Sequence, residues 1–316
     1  MSNLSKEELD ATLSGDPEEL DVHLTLIERD LALDGIKAKA HCHCMVVDAN
    51  GAVRPQRLAE FMRNAIVDYA IPKARVEEAR QRDFKFKSTT AVSGLHAEAR
   101  QIFTDLKNTG EGGELLLYLL AERFLKLPQI LCKMDLKTSS KMHYHGADGV
   151  YASVTEDGIL KLFWGESKIY QSIDSAMASC FNSLAPFLID EDEEGSKRER
   201  DLMLLSSKAD LGDERLSTSL KRYFDKSIPT SNRVKYCGIA LVGYEVDLYL
   251  TKDNKLTHEE VVNGAKKEME GWISSATDKV KYSKLDDFEI EILCFPIPSS
   301  QGFRDAFLKA MGFGGV

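Results

Sequence analysis

The chain has 316 residues and a net charge of −10, with 43% hydrophobic and 29% charged residues. That length buries a substantial core, in one large domain or two ordinary ones, and the balance excludes a disordered chain. The longest apolar run, 115–121, is far too short to cross a bilayer. An acidic total also argues against a stand-alone, high-affinity nucleic-acid binder, because phosphate binding relies on Lys and Arg.

Residues 1–30 hold nine acids against Lys6 and Arg29, a net of −7, which leaves only −3 for the rest of the chain. This segment is expected as a strand-free acidic cover over a basic surface, or else as a disordered solubilising tail or a helix packed on the core. The opening MSNLSKEELD has no apolar signal stretch, and six cysteines spread through apolar segments suit a reducing compartment. A cytoplasmic location and no membrane contact are expected. The pattern then predicts a strand over 40–48 and helices over 55–69, 96–106 and, after Gly112-Gly113, 114–125. Strands follow over 129–136, 148–154 and 159–169, then a helix over 172–188. The acidic-then-basic run 190–200, DEDEEGSKRER, reads as a solvated loop or helix start. A helix over 211–225, a strand over 234–250, a helix over 258–277, a strand over 288–295 and a helix over 302–311 complete the chain. Blocks of this kind predict an α/β (α+β) fold with a central mixed sheet flanked by helices. Three stretches are expected: an N-terminal region 1–95, a core 96–250 and a C-terminal extension 251–316 packed on it.

The chemistry concentrates in the third and fourth strands. Gly146-Ala147-Asp148-Gly149-Val150 precedes Trp164-Gly165-Glu166-Ser167-Lys168, the only E-x-K in the chain. Between them lies Glu156-Asp157-Gly158, a three-residue loop in which Gly suits the left-handed last position. Pairing Thr155 with Ile159 sets Val150 against Trp164, Ala152 against Leu162, Val154 against Leu160 and Asp148 against Glu166. Directly opposed Cβ atoms lie about 5 Å apart, so both carboxylates reach one cation at the end of an apolar face, with Lys168 two residues on. Two carboxylates and a lysine form a minimal site for metal-assisted phosphodiester hydrolysis, in which Mg²⁺ (or Mn²⁺) takes oxygen ligands. The Ser167 carbonyl offers a further oxygen. Glu114 either completes the metal shell or favours the positive end of its own helix.

Gly113-Glu114-Leu115-Leu116-Leu117-Tyr118, Gly146-Ala147-Asp148-Gly149-Val150 and Phe163-Trp164-Gly165-Glu166-Ser167-Lys168-Ile169-Tyr170 together resemble HamA, the nuclease-like subunit of the Hachiman antiphage defence system of bacteria. The resemblance is specific over about 114–188. It implies a PD-(D/E)xK restriction-endonuclease-like core, DNA as substrate, a role for Asp148, Glu166 and Lys168 in cutting it, and a partner helicase, HamB, that uses ATP. Ala147 stands where the motif's name has proline.

Other signals are weaker. Lys133, Lys137 and Lys141 read either as a DNA-backbone contact or as a solvated face, and His143 and His145 fall just before Asp148, within reach of a substrate phosphate. His41-Cys42-His43-Cys44 lacks the usual zinc spacing, and strand alternation sends its two residue types to opposite faces. No P-loop, G-x-S-x-G or H-E-x-x-H occurs. Two rival readings keep the sequence without the chemistry. One is a non-catalytic DNA-binding or scaffold subunit of a helicase complex; the other is an interaction module whose acids lie on the surface.

Overall fold

The computed structural model describes residues 4–103, 110–133, 146–189, 196–249 and 255–313. Two short helices, α1 (Lys6–Asp10) and α2 (Glu18–Asp21), lead into strands β1 (Leu24–Ala32) and β2 (Ala38–Met45). Five helices follow: α3 (Pro55–Asn64), α4 (Ile66–Ala70), α5 (Lys73–Phe86), α6 (Thr90–Ile102) and α7 (Glu111–Leu119). The hairpin β3 (Gly149–Val154) and β4 (Leu160–Tyr170) precedes α8 (Ile173–Leu188), α9 (Lys197–Lys208) and α10 (Glu214–Lys221). Then come β5 (Val234–Glu245), α11 (His258–Tyr282), β6 (Glu289–Ile297) and α12 (Ser300–Met311).

Among the described residues these strands form one mixed sheet in the order β1-β2-β6-β5-β4-β3. β2, β6, β5 and β4 run parallel, and antiparallel neighbours close both edges. The α/β reading therefore holds, and alternation along the strands fills both faces. Ala240 and Val242 join the core that includes α8 and α11 residues, while Ile239 and Leu241 join the one that includes residues of α3, α7 and α12. The stretches 1–95, 96–250 and 251–316 all contribute strands to this one sheet. Residues 251–316 supply β6, which lies in its middle between β2 and β5.

Several expectations need correction. Residues 24–30 belong to β1, so the acidic segment is not strand-free, and Leu4, Leu9 and Leu20 are buried. It is fastened as well. Glu122 accepts from Ser14 N–H at 2.8 Å, Gln129 N–H at 2.7 Å and Lys73 Nζ at 2.9 Å, and Arg123 pairs with Glu19 at 2.6 Å. The helix expected over 114–125 begins at Glu111 and widens into a π-turn, Leu120–Phe124, which carries Glu122 inward to those donors. The strand expected over 129–136 reduces, within the described residues, to a bridge between Gln129 and Tyr151. The segment 73–86, not expected as an element, is α5.

The hairpin follows its expected register: Val150 faces Trp164, Ala152 faces Leu162 and Val154 faces Leu160. Thr155 N–H donates to the Ile159 carbonyl at 3.0 Å, and Gly158 takes φ +76°. A side chain there strains the backbone by about 1–2 kcal/mol. Gly158→Ala should lower the free energy of urea unfolding by that amount, and equal stability would show that the turn does not depend on glycine.

Candidate functional site

β3 ends one residue short of Asp148, so this aspartate stands just past the last paired position of the sheet edge. Its backbone N–H still donates to the Gly165 carbonyl at 2.8 Å. Its carboxylate turns back along β4 and accepts the Ser167 N–H at 2.8 Å. Within a strand a residue's N–H and C=O point the same way. The Ser167 carbonyl therefore faces the same side, beyond the end of β3.

Glu166 and Lys168 project from the same face of β4, with Lys168 Nζ 2.9 Å from Glu166 Oε2. Glu166 is 5% exposed, and burial pushes its carboxyl up to about 7, with the nearby Asp148 carboxylate adding to the rise against the pull of Lys168. Burial works against the charge on Lys168, but the Glu166 and Asp148 carboxylates outweigh it and hold its pKa above the ordinary lysine value. The three residues thus share one electrostatic environment at the carboxyl end of β4, where open α/β sheets place their ligands.

Asp148, Ser167, Lys168 and Glu114 line a cleft of about 330 Å³, roofed by Phe303, Arg304 and Phe307 of α12. The two glycines that open α7 explain how its first turn comes so near. A Cβ on Gly113 would lie 2.6 Å from Ser167 Oγ, and one on Gly112 would lie 3.2 Å from the Phe307 ring. Glu114 in that first turn accepts from the hydroxyl of buried Tyr69 at 3.0 Å. Burial raises that hydroxyl well above its ordinary pKa, and Glu114 and Asp148 raise it further, so it remains a donor.

A second layer lies behind Asp148. Lys133 Nζ donates to the carbonyl of Ala147, the residue before Asp148, and pairs with Asp201 Oδ2 at 3.2 Å. Asp201, fully buried on α9, also accepts from Trp164 Nε1 at 3.1 Å. Lys133, read from sequence as a DNA-backbone contact or a solvated cation, is instead a buried brace, 7% exposed. Lys137, Lys141, His143 and His145 lie outside the described residues. Sequence reasoning missed Asp201 and Arg304. Asp201 follows directly on a charged run that reads as solvated, and Arg304 belongs to a helix nearly 140 residues from the motif.

Hard oxygen donors that could hold a divalent cation are the carboxylates of Asp148 and Glu166 and the Ser167 carbonyl, with Glu114 across the cleft. The Asp148 carboxylate raises the neighbouring Glu166 carboxyl, a repulsion that a cation between them would offset. Among the described residues, a compact trio of carboxylate and histidine atoms, all within 4.8 Å of one another, is Asp30, His41 and Glu291. His41 has both ring nitrogens taken up in hydrogen bonds there. Its Nδ1 accepts the Asp30 N–H at 3.1 Å, which puts the ring proton on Nε2, facing Glu291 at 2.8 Å. Cys42 and Cys44 pack on the opposite face from His41 and His43, whose rings meet Phe124.

The Glu166 carboxyl sets a pH test. Its folded-state pKa, about 7, exceeds its ordinary 4.5, so the stability it contributes is complete below about pH 4.5 and is lost as pH rises through about 7. Lys168 stays charged across that window. In EDTA, Glu166→Gln should remove up to about 3 kcal/mol of the fall in unfolding free energy between those pH values. Parallel curves for variant and parent would contradict this.

No helix among the described residues is long and apolar enough to cross a membrane. No curated protein matches the chain. The sequence profile of the HamA family matches residues 21–311, from the end of α2 through the last residue of α12. That span includes every residue of the cleft, and the chain belongs to the HamA family, a component of the Hachiman antiphage defence.

Proposed function

We propose that the chain is a divalent-cation-dependent deoxyribonuclease of the PD-(D/E)xK type, working beside an ATP-driven helicase of the HamB kind. The observation that carries this reading is the meeting of Asp148, buried Glu166 and Lys168 at one end of β4, with Asp148 and Lys168 lining an open cleft. Mg²⁺ or Mn²⁺ held by Asp148, Glu166 and the Ser167 carbonyl would neutralise phosphate charge and acidify water there. Lys168 lines the cleft with its proton held, so its ammonium is ready for negative charge that develops on phosphate oxygens. Glu114, steadied by Tyr69, is a hydrogen-bond acceptor for a water beside Asp148. Arg304 on the facing helix supplies a cation for a neighbouring backbone phosphate.

The test is cutting of supercoiled plasmid in Mg²⁺ and in EDTA. Lys168→Ala should fold, because the Glu166 carboxyl left behind already resists ionisation and can keep its proton, and should cut at least about a hundredfold more slowly. Glu166→Ala should lose activity together with cation affinity. Wild-type rates from both variants would exclude this site and leave the scaffold reading. The helicase half is tested separately. The chain carries no P-loop of its own, and its family membership supports a helicase partner. Co-expressed subunits should co-elute on size exclusion at micromolar concentration; separate elution with full activity in the lone chain would refute the complex.

A further inference from the structure

The C-terminal end of α5 is chemically unlike the rest of this acidic protein. Phe84 is 89% exposed and Phe86 67% exposed, values that large apolar rings reach rarely on a folded surface. Around them Arg82, Lys85 and Lys87 are all exposed, with the Lys85 ammonium 5.4 Å from the Phe86 ring centre.

The one acid in that stretch has been withdrawn. Asp83 is 8% exposed and accepts the N–H groups of Ala91 and Val92 at 3.0 and 2.9 Å, in the first turn of α6. Earlier cations of the same helix are neutralised, Arg75 by Glu98 and Arg80 by Asp68. Among the described residues, no carboxylate pairs with Arg82, Lys85 or Lys87. The result is a tip with two bare rings and three uncompensated positive charges, on a chain whose net charge is −10.

We infer that this tip is a stacking platform for single-stranded DNA, separate from the cleft. Aromatic rings interleaved with cations are what a flexible nucleic-acid strand needs. The rings take bases by their faces without reading sequence, and the cations take the phosphates between them. A lipid surface fits less well. The rest of α5, KARVEEARQR, presents charge rather than a continuous apolar face, so no amphipathic stripe extends from the tip. The position suits a feeding role. The 13-residue α6 begins beside the tip and spans about 20 Å. In its last turn, Arg100 donates to the Met311 carbonyl at the end of α12, the helix that roofs the cleft. The choice of DNA as the polymer rests on the nuclease reading; the patch itself does not.

The experiment is binding of fluorescein-labelled dT12, a length within the roughly 4–16 nucleotides typical of such sites, measured by anisotropy in EDTA, where nothing is cut. The full chain should bind with an affinity that falls as salt rises. Phe84→Ala with Phe86→Ala should weaken binding at least about tenfold and leave the salt slope unchanged. Arg82→Gln with Lys85→Gln should lower that slope by about 1.4, the share of two phosphate contacts. These side chains are exposed, and melting temperatures unchanged from the parent will show that the variants fold. Undiminished binding by the double-Phe variant would overturn the inference. So would normal dT12 binding with lost helicase co-elution, which would make the patch a protein interface. Failure of the nuclease reading gives a different result: intact dT12 binding by a chain that cuts nothing in Mg²⁺.

Discussion

The register of β3 on β4 is the constraint from which the site follows. A slip of one residue along β4 would turn Trp164 and Leu162 from the α8 side of the sheet toward α7, and Phe163 the other way. Both faces are packed, so neither exchange finds room, and the register is held far more firmly than in a hairpin with one wet face. Asp148 gains its position from this first, with the Lys133 brace on the Ala147 carbonyl behind it. It lies one residue beyond the last pair, tied to Gly165 and Ser167 of the opposite strand.

Buried carboxylates in this protein fall into two kinds, distinguished by what surrounds them. Glu122 receives three donors from three separate segments, and Asp201 receives the Lys133 ammonium and the Trp164 indole. These are satisfied groups, and breaking one would leave a charge stranded in the interior. Glu166 has Lys168 on one side and Asp148 on the other, and it resists ionisation. That perturbation, beside a cleft, sets Glu166 apart from the satisfied carboxylates and fits the chemistry proposed for it.

The hairpin and its two carboxylates were legible because turn chemistry and strand alternation are local signals that agree. Gly158 sets the loop length, and the loop length sets which side chains oppose. The elements that escaped notice carry no such signal. β1, LTLIERDLA, shifts register twice against β2, so its buried positions lose their period of two. α5 has few apolar residues to mark a face. Lys133 and Asp201 are 68 residues apart, and each looks like an ordinary surface charge until the sheet brings them to the same place. The order of strands was hardest to read, since a strand's place in a sheet is decided by all the others. Nothing within β6, EIEILCFPI, says that it goes in the centre.

That central place has a consequence for synthesis on the ribosome. Before residues 289–297 emerge, the chain holds two separate ribbons, β1 with β2 and β5 with β4 and β3, each with an open edge where β6 belongs. Open edges invite pairing with other chains; the β2 edge stays open through most of translation, and the β5 edge joins it once Val234–Glu245 has been made. One late strand closes both. The walls of the cleft are completed later still, by α12, so a prematurely ended chain would carry the E-x-K residues without the helix that roofs them.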